Sequence, residues 1–406
     1  MYFLSALFLF THASLGLAFP SKFSRQSASQ NVENQPITIP LNSCTPDLQD
    51  AIHSGPIVVQ GKTFKVLFDT GSQYLVLPGE GCSAQDGCFR STKYNSIGMT
   101  RVSNKPFTLE YIAGPVETYQ YMDTLKIGKL AMADTEVYSG VNATGFRVLG
   151  NSGIDGILGL STQRSFEKSK SFIERLFPTH RLPSNEFCFA LNTCRESKRN
   201  PSELTLGGRN ISKYIGNMIT LPLVDNHKGK WTVPLNSITV GNTTTSIDSY
   251  ALIDTGAYES ITSKAVLAPI VEVLGALPFL MLISGTSNVT GYAFPCRRAF
   301  SIHLPPISLD LASQPIFIPP SHFIKYVLTV RNVMRFNMSL PLTIMDDLYN
   351  PQGQDWCMLS FIAQEAQAGL SPNTLGIELL RNWYACFSED VRGRRAVMLG
   401  RKIRPG

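Results

Sequence analysis

The sequence predicts a mainly-β protein built from two related halves, and three observations predict it. Short β-branched and aromatic runs recur along the chain, among them "PIVVQG", "FKVLFD", "FTLEYIAG", "DTLKIG", "EFCFAL", "ELTLGG", "WTVPLNSITVG", "SYALID", "AFSIHL" and "PIFIPP". They are bounded by Gly, Pro, Asn and Ser, residues that turn a chain between strands. Helical patterns are few, the best being "TQRSFEKSKSFIERLF" and "SITSKAVLAPIVEVLGAL". An apolar run ending in Asp-Thr-Gly occurs twice, in "LFDTGSQYLV" and "LIDTGAYESI", with Asp69 and Asp254 185 positions apart. A hydrophobic share of 43% over 406 residues supplies core for two such halves.

At the N-terminus, "MYFLSALFLFTHASLGLAFP" has an apolar core from Tyr2 to Phe10, no acidic residue, and small residues at Gly16 and Ala18. That pattern predicts a secretory signal over residues 1–18, cleaved after Ala18. Residues 19–35 read as a short propeptide or N-terminal extension. The first half follows over residues 36–215 and the second over 216–406. No later segment has the roughly 20 uninterrupted apolar residues of a membrane span. The C-terminal "VMLGRKIRPG" lacks the apolar tail of a lipid-anchor signal. The expectation is therefore a chain without a membrane anchor.

Eight cysteines, an even number without any CxxC pair, favour disulfides in a secreted chain, and with only six histidines no metal site is expected. Five sequons, at Asn142, Asn210, Asn242, Asn288 and Asn337, fit a glycosylating secretory route to the exterior or to a vacuole. The net charge of +6 is diffuse, and short basic patches such as "RGRRAVMLGRK" carry no interleaved aromatics. They read as solvated surface, so no nucleic-acid partner is expected.

The repeated Asp-Thr-Gly carries the chemistry. An apolar strand gives a rigid, dry platform, Asp ends it with a carboxylate, and Gly lets the chain turn with its amides close to that carboxylate. Each copy follows three apolar residues, Val66-Leu67-Phe68 and Ala251-Leu252-Ile253, and each half offers a later Gly-turn partner, Gly159 in "DGILGL" and Gly376 in "NTLGIELL". The longer spacing in the second half places extra loop between Cys296 and Cys357. Two such units related by a pseudo-two-fold axis bring two carboxylates within a few ångströms. They cannot both ionise easily, so they share one proton, one acting as base and the other as acid.

With these motifs the sequence resembles the pepsin-like aspartic peptidases from about Gly55 to Ile403. The matching segments are "VLFDTGSQYLVLP", "EYIAGPVETYQYMDTLKIG", "DGILGL", "ELTLGG", "WTVPLNSITV", "ALIDTGA" and "LGIELLRNWYACF". The resemblance implies a bilobal β fold with a substrate cleft between the lobes and Asp69 and Asp254 as catalytic dyad. It implies support of the dyad by Thr70, Gly71, Ser72, Thr255 and Gly256. A β-hairpin flap, with Tyr111, Ile112, Ala113 and Gly114 at its end, would close over the substrate. It also implies disulfides Cys82–Cys88, enclosing a short loop, and Cys296–Cys357; Cys44, Cys188, Cys194 and Cys386 admit three pairings.

The chain departs from the family pattern at Val76, where Trp is usual and would partner the flap tyrosine, and at Ile112 and Ala113, where Gly and Thr are usual. Ala257 also lacks the hydroxyl that Ser72 supplies to the first motif, which should raise the dyad's apparent pKa values. The expected function is a secreted aspartic endopeptidase, a monomer that acts on peptide or protein substrates without a cofactor. The rival reading is a catalytically weak or inactive binding or inhibitor protein on the same scaffold.

Overall fold

The computed structural model describes residues 35–45, 52–88, 92–111, 114–162, 169–224, 229–283, 287–297, 306–335, 338–350, 352–364 and 373–403. The expected leader and extension, and the "AFSIHL" run, lie outside the described residues. Within them the chain is a bilobal, mainly-β fold of three sheets.

The N-terminal lobe is an eight-stranded sheet drawn from residues 54–159. Its central strand, Lys62–Asp69, starts with exposed lysines and becomes wholly buried by Val66. Phe64, Val66 and Phe68 face the main core, whereas Leu67 enters a smaller apolar cluster with Ile52, Val76 and Phe146. A strand sandwiched in this way loses its solvent-facing polar alternation. Full burial of each such side chain contributes about 1.5–3 kcal/mol, which fixes the strand that carries Asp69.

The C-terminal lobe is a twelve-stranded sheet spanning residues 232–375. Its strand Thr243–Ile253 leads directly into Asp254. The longer sequence between Cys296 and Cys357 contributes helices Val330–Arg335 and Leu342–Tyr349, together with a two-residue strand, Met338–Ser339, that extends the sheet's edge against Leu280 and Met281.

The third sheet has strand order Ile37–Leu41, Ser202–Leu206, Glu186–Ala190, Trp383–Glu389, Arg395–Lys402 and Tyr214–Pro222. It joins segments from both ends of the chain into one layer, and the expected boundary at 215/216 falls inside its last strand. Phe187 and Phe387 stack across it at 5.1 Å, and Trp231 meets Phe387 edge-on at 5.2 Å. Cys188 sits opposite Cys386 in register, and their disulfide ties the two lobes' strands together. Cys44–Cys194 completes the pairing that the sequence leaves open, and Cys82–Cys88 and Cys296–Cys357 are both formed.

The two helical segments are shorter than their sequence patterns. Ser263 caps a helix over Lys264–Leu274, which stops at Gly275 in the left-handed region (φ 56°), so Leu277 begins a strand instead. In the other segment a Ser171/Glu174 capping box starts a single helical turn, Phe172–Leu176, and residues 163–168 lie outside the described residues. No helix of the described residues is long and apolar enough to cross a membrane.

Candidate active site

The two Asp-Thr-Gly turns are held by equivalent local structures. Lys62–Asp69 runs parallel to Gly156–Gly159, with Asp69 opposite Gly159. Thr243–Ile253 runs parallel to Thr374–Leu375, with Ile253 opposite Leu375, so that Gly376 follows in register beside Asp254. Both glycines are required by close approach. A Cβ on Gly159 would lie 2.4 Å from the Tyr74 nitrogen, and one on Gly376 would lie 2.6 Å from the Ala257 carbonyl oxygen. In each half the chain leaving the Asp motif passes directly over the glycine.

Across the pseudo-two-fold axis the two threonines lock the turns to one another. The Thr70 amide donates to Thr255 Oγ1 at 3.0 Å, and the Thr255 amide donates to Thr70 Oγ1 at 2.9 Å. Thr70 Oγ1 donates in turn to the Ile253 carbonyl at 2.8 Å, and Thr255 Oγ1 to the Phe68 carbonyl at 2.7 Å. Both threonines are buried. Four mutual bonds in a dry setting fix the separation of the two loops, because losing any partner leaves a buried polar group unpaired.

Asp69 and Asp254 project from these turns with only 6% and 7% of their surfaces exposed, and their carboxyl groups lie within hydrogen-bonding reach of each other. Gly71 N–H donates to Asp69 Oδ1 at 2.8 Å and Gly256 N–H donates to Asp254 Oδ1 at 2.7 Å. The symmetry ends at the next residue. Ser72 Oγ donates to Asp69 Oδ2 at 2.5 Å, whereas the buried Ala257 has no hydroxyl to offer Asp254. Burial, the charge of Asp69 and the hydrogen bond that protonated Asp254 donates to it hold the Asp254 carboxyl well above the usual carboxylate range, against the opposing pull of the Gly256 amide and the Lys230 ammonium. The proton of the pair therefore belongs on Asp254, and the charge sits on Asp69, where the Gly71 amide and the Ser72 hydroxyl both donate to it.

The expected flap is the hairpin of Phe107–Tyr111 and Gly114–Ile127, in which Tyr111 pairs with Gly114, itself at φ 116°. Its tip residues Ile112 and Ala113 lie outside the described residues. Tyr111 turns into the N-terminal lobe's smaller cluster and meets Phe146 edge-on at 5.4 Å. Phe146 thus supplies the aromatic contact that Val76 does not. The phenol is buried beside Ser72 and Asp69, without reaching hydrogen-bond geometry to a partner among the described residues. Burial, and then the Asp69 charge, push its pKa up, so it stays neutral.

The sequence reading did not find Phe146, nor the link between Ser161, Thr162 and Gly229. Both hydroxyls and the Thr162 amide donate to the Gly229 carbonyl, at 2.8, 2.5 and 2.8 Å respectively. The Trp231 indole likewise donates to the Leu160 carbonyl at 2.9 Å. These bonds pin the segment before strand Thr232–Val240 to the end of strand Gly156–Gly159. Of the sequon asparagines, Asn142 and Asn242 are exposed, and Asn210 caps a short turn with its amide donated to Glu203. Asn288 lies in strand Ser287–Pro295, and Asn337 lies outside the described residues.

Comparison with known proteins agrees with this geometry. The family described as "Eukaryotic aspartyl protease" matches residues 56–395. Vacuolar protease A of Aspergillus fumigatus is 26% identical over 330 residues, covering 80% of this chain and 72% of that protein. Cathepsin D of Mus musculus is 27% identical over 388 residues, covering 91% and 84%. Cathepsin D of Dictyostelium discoideum is 30% identical over 212 residues, covering 51% and 53%. With the family match extending through both Asp-Thr-Gly turns and the strands that carry them, the chain belongs to the eukaryotic aspartyl proteases.

Proposed function

We propose that this chain is an active aspartic endopeptidase in which Asp69 and Asp254 are the catalytic dyad. The observation that carries the reading is the pair of buried, closely apposed carboxyl groups held by reciprocal Thr70 and Thr255 bonds. In the working cycle the charged Asp69 takes a proton from a water molecule as that water attacks the peptide carbonyl. Asp254 gives its proton to the carbonyl oxygen, and collapse of the tetrahedral intermediate returns a proton to the leaving amine. No covalent acyl-enzyme is needed. The flap, with Tyr111 beneath it, would cover the substrate and exclude bulk water.

The route we propose is secretory, to the exterior or a vacuole, with a leader over residues 1–18 and two lobes over 36–215 and 216–406. Four disulfides and the exposed sequons at Asn142 and Asn242 support it. Digestion of a mixed peptide library under acidic conditions, with and without a statine-type transition-state mimic, tests the activity. Cleavage that the mimic blocks is expected. An intact library would leave the binding-protein reading in its place.

The asymmetry at Ala257 makes a prediction about pH. Hydrogen bonds to a charged carboxylate are worth about 1.5–3 kcal/mol, and one pKa unit corresponds to about 1.36 kcal/mol. A hydroxyl placed by Ala257→Ser would favour ionised Asp254 and lower the pKa at which the pair loses its proton. After partial compensation, the alkaline limb of kcat/KM should move down by about half a unit to one unit. A limb that stays in place would show that the residue only fills space.

A further inference from the structure

Tyr258 belongs to one lobe by sequence and to the other by packing. It is the fourth residue after Asp254, on the chain that leaves the second Asp-Thr-Gly turn. Its side chain packs against the smaller apolar cluster at the base of the expected flap, the one that also receives Tyr111. Every buried member of that cluster, from Ile52 to Ile157, comes from the N-terminal lobe. Tyr258 is thus a side chain of the C-terminal lobe that crosses to the opposite wall beside the dyad.

The backbone on either side holds it there. Gly256 lies against the Asp69 carboxylate, so two residues earlier the chain is already at the other lobe's surface. The Ile377 amide donates to the Ala257 carbonyl at 3.1 Å, and the Ser260 amide donates to the Ser360 carbonyl at 3.1 Å. The Gly376 amide donates to Ser260 Oγ, also at 3.1 Å. Tyr258 and Glu259 bridge these anchors, and both are half-buried. A ring on so short a span moves mainly by changing rotamer, and turning it away would uncover apolar wall to water.

The pseudo-two-fold partner of Tyr258 is different in kind. The fourth residue after Asp69 is Gln73, and the aromatic residue that follows it, Tyr74, stays in its own lobe, 4.5 Å from Tyr138 and 6.1 Å from Phe107. One arm of the cleft is therefore crossed by an aromatic ring, and the matching position of the other arm is a glutamine. We propose that Tyr258 fills a substrate subsite on one side of the dyad, so that the cleft accepts only a small side chain, Gly or Ala, at one position of the peptide. This inference rests on the endopeptidase reading. Four residues of chain reach at most about 14 Å, and an extended peptide advances about 3.3 Å per residue, so that position lies within about four residues of the scissile bond. A large apolar side chain there must push the ring off the wall and disturb its packing, whereas a methyl group need not. The selection is by size.

The test is a set of peptides sharing one cleaved core, with Gly, Ala, Leu or Phe placed in turn at each position within four residues of the scissile bond, the cut being located by mass spectrometry. The unsubstituted protein is expected to show, at one position on one side only, kcat/KM about tenfold lower or more for Leu and Phe than for Ala. Tyr258→Ser should bring Leu and Phe up to Ala at that position and leave the profiles at the others as they are. Tyr258→Phe keeps the ring and should keep the discrimination. If Tyr258 only braces the two lobes, Tyr258→Ser would lower the melting temperature and slow every peptide by one common factor with the Leu/Ala ratio unchanged, which overturns the inference. Equal cleavage of Ala, Leu and Phe peptides at every position by the unsubstituted protein overturns it without any variant. Failure to cleave any peptide would overturn the endopeptidase reading first, and this one with it.

Discussion

Asp69→Asn and Asp254→Asn are each expected to lower kcat by about a thousandfold or more, the scale on which a positioned acid or base contributes. Each carboxyl group has its own task, and asparagine can do neither: it cannot accept the proton of water at 69 or deliver one from 254. Both loops should keep their shape, since the Thr70 and Thr255 bonds and the Gly71 and Gly256 amides do not depend on the carboxyl charge. The two variants should differ in stability. The Asp254 pKa is raised in the folded chain from an ordinary value of 3.8. Its contribution is fully present below that value and is lost as pH rises through the folded pKa, where the buried group must ionise. Asparagine has no such charge, so Asp254→Asn should melt above the unsubstituted protein at neutral pH. Measuring kcat and thermal melting for both variants checks this. Near-native turnover in either would remove that residue from the mechanism.

Gly71→Ala and Gly256→Ala are expected to be nearly as damaging while adding only a methyl group. A Cβ on Gly71 would lie 2.3 Å from Asp254 Oδ2, and one on Gly256 would lie 2.3 Å from Asp69 Oδ1. Each turn thus grazes the opposite lobe's carboxylate, and a methyl group must push that carboxylate aside. Displacing a reacting group by about 1 Å costs about a hundredfold in rate, so kcat should fall by about that factor or more in each variant. Gly81→Ala is the control. Its Cβ would meet open space, its backbone is not in the left-handed region, and a surface change of this kind stays within about 0.5 kcal/mol. Comparison of kcat across the three variants decides whether the clash or the loss of any glycine is responsible.

The parts of this site that were legible in the sequence are those encoded locally. Asp69 and Asp254 end apolar strands, and Gly71 and Gly256 follow at fixed spacing. Gly159 and Gly376 could be paired with them because each closes its own half. Ala257 announced its missing hydroxyl by type alone. What was not legible depends on register between distant segments. The shared six-stranded sheet pairs Ile37–Leu41 with Ser202–Leu206 and Glu186–Ala190 with Trp383–Glu389. Nothing within those short runs states their partners. The choice of Cys188 with Cys386 follows from that same register. Phe146 reaches Tyr111 through a turn that no hydrophobic pattern marks. The helical patterns over-ran because Gly275 stops one of them, a breaker the apolar periodicity on either side obscured.

The central claim, that a singly protonated carboxyl pair performs the chemistry, is tested most directly by kcat/KM of the unsubstituted protein on one well-cleaved peptide across the pH range. The claim predicts a bell confined to acidic and weakly acidic conditions, falling on the acid side as the pair takes up a second proton and on the alkaline side as it loses the one held on Asp254. A rate that is flat through that range, or that climbs through neutrality, would contradict it.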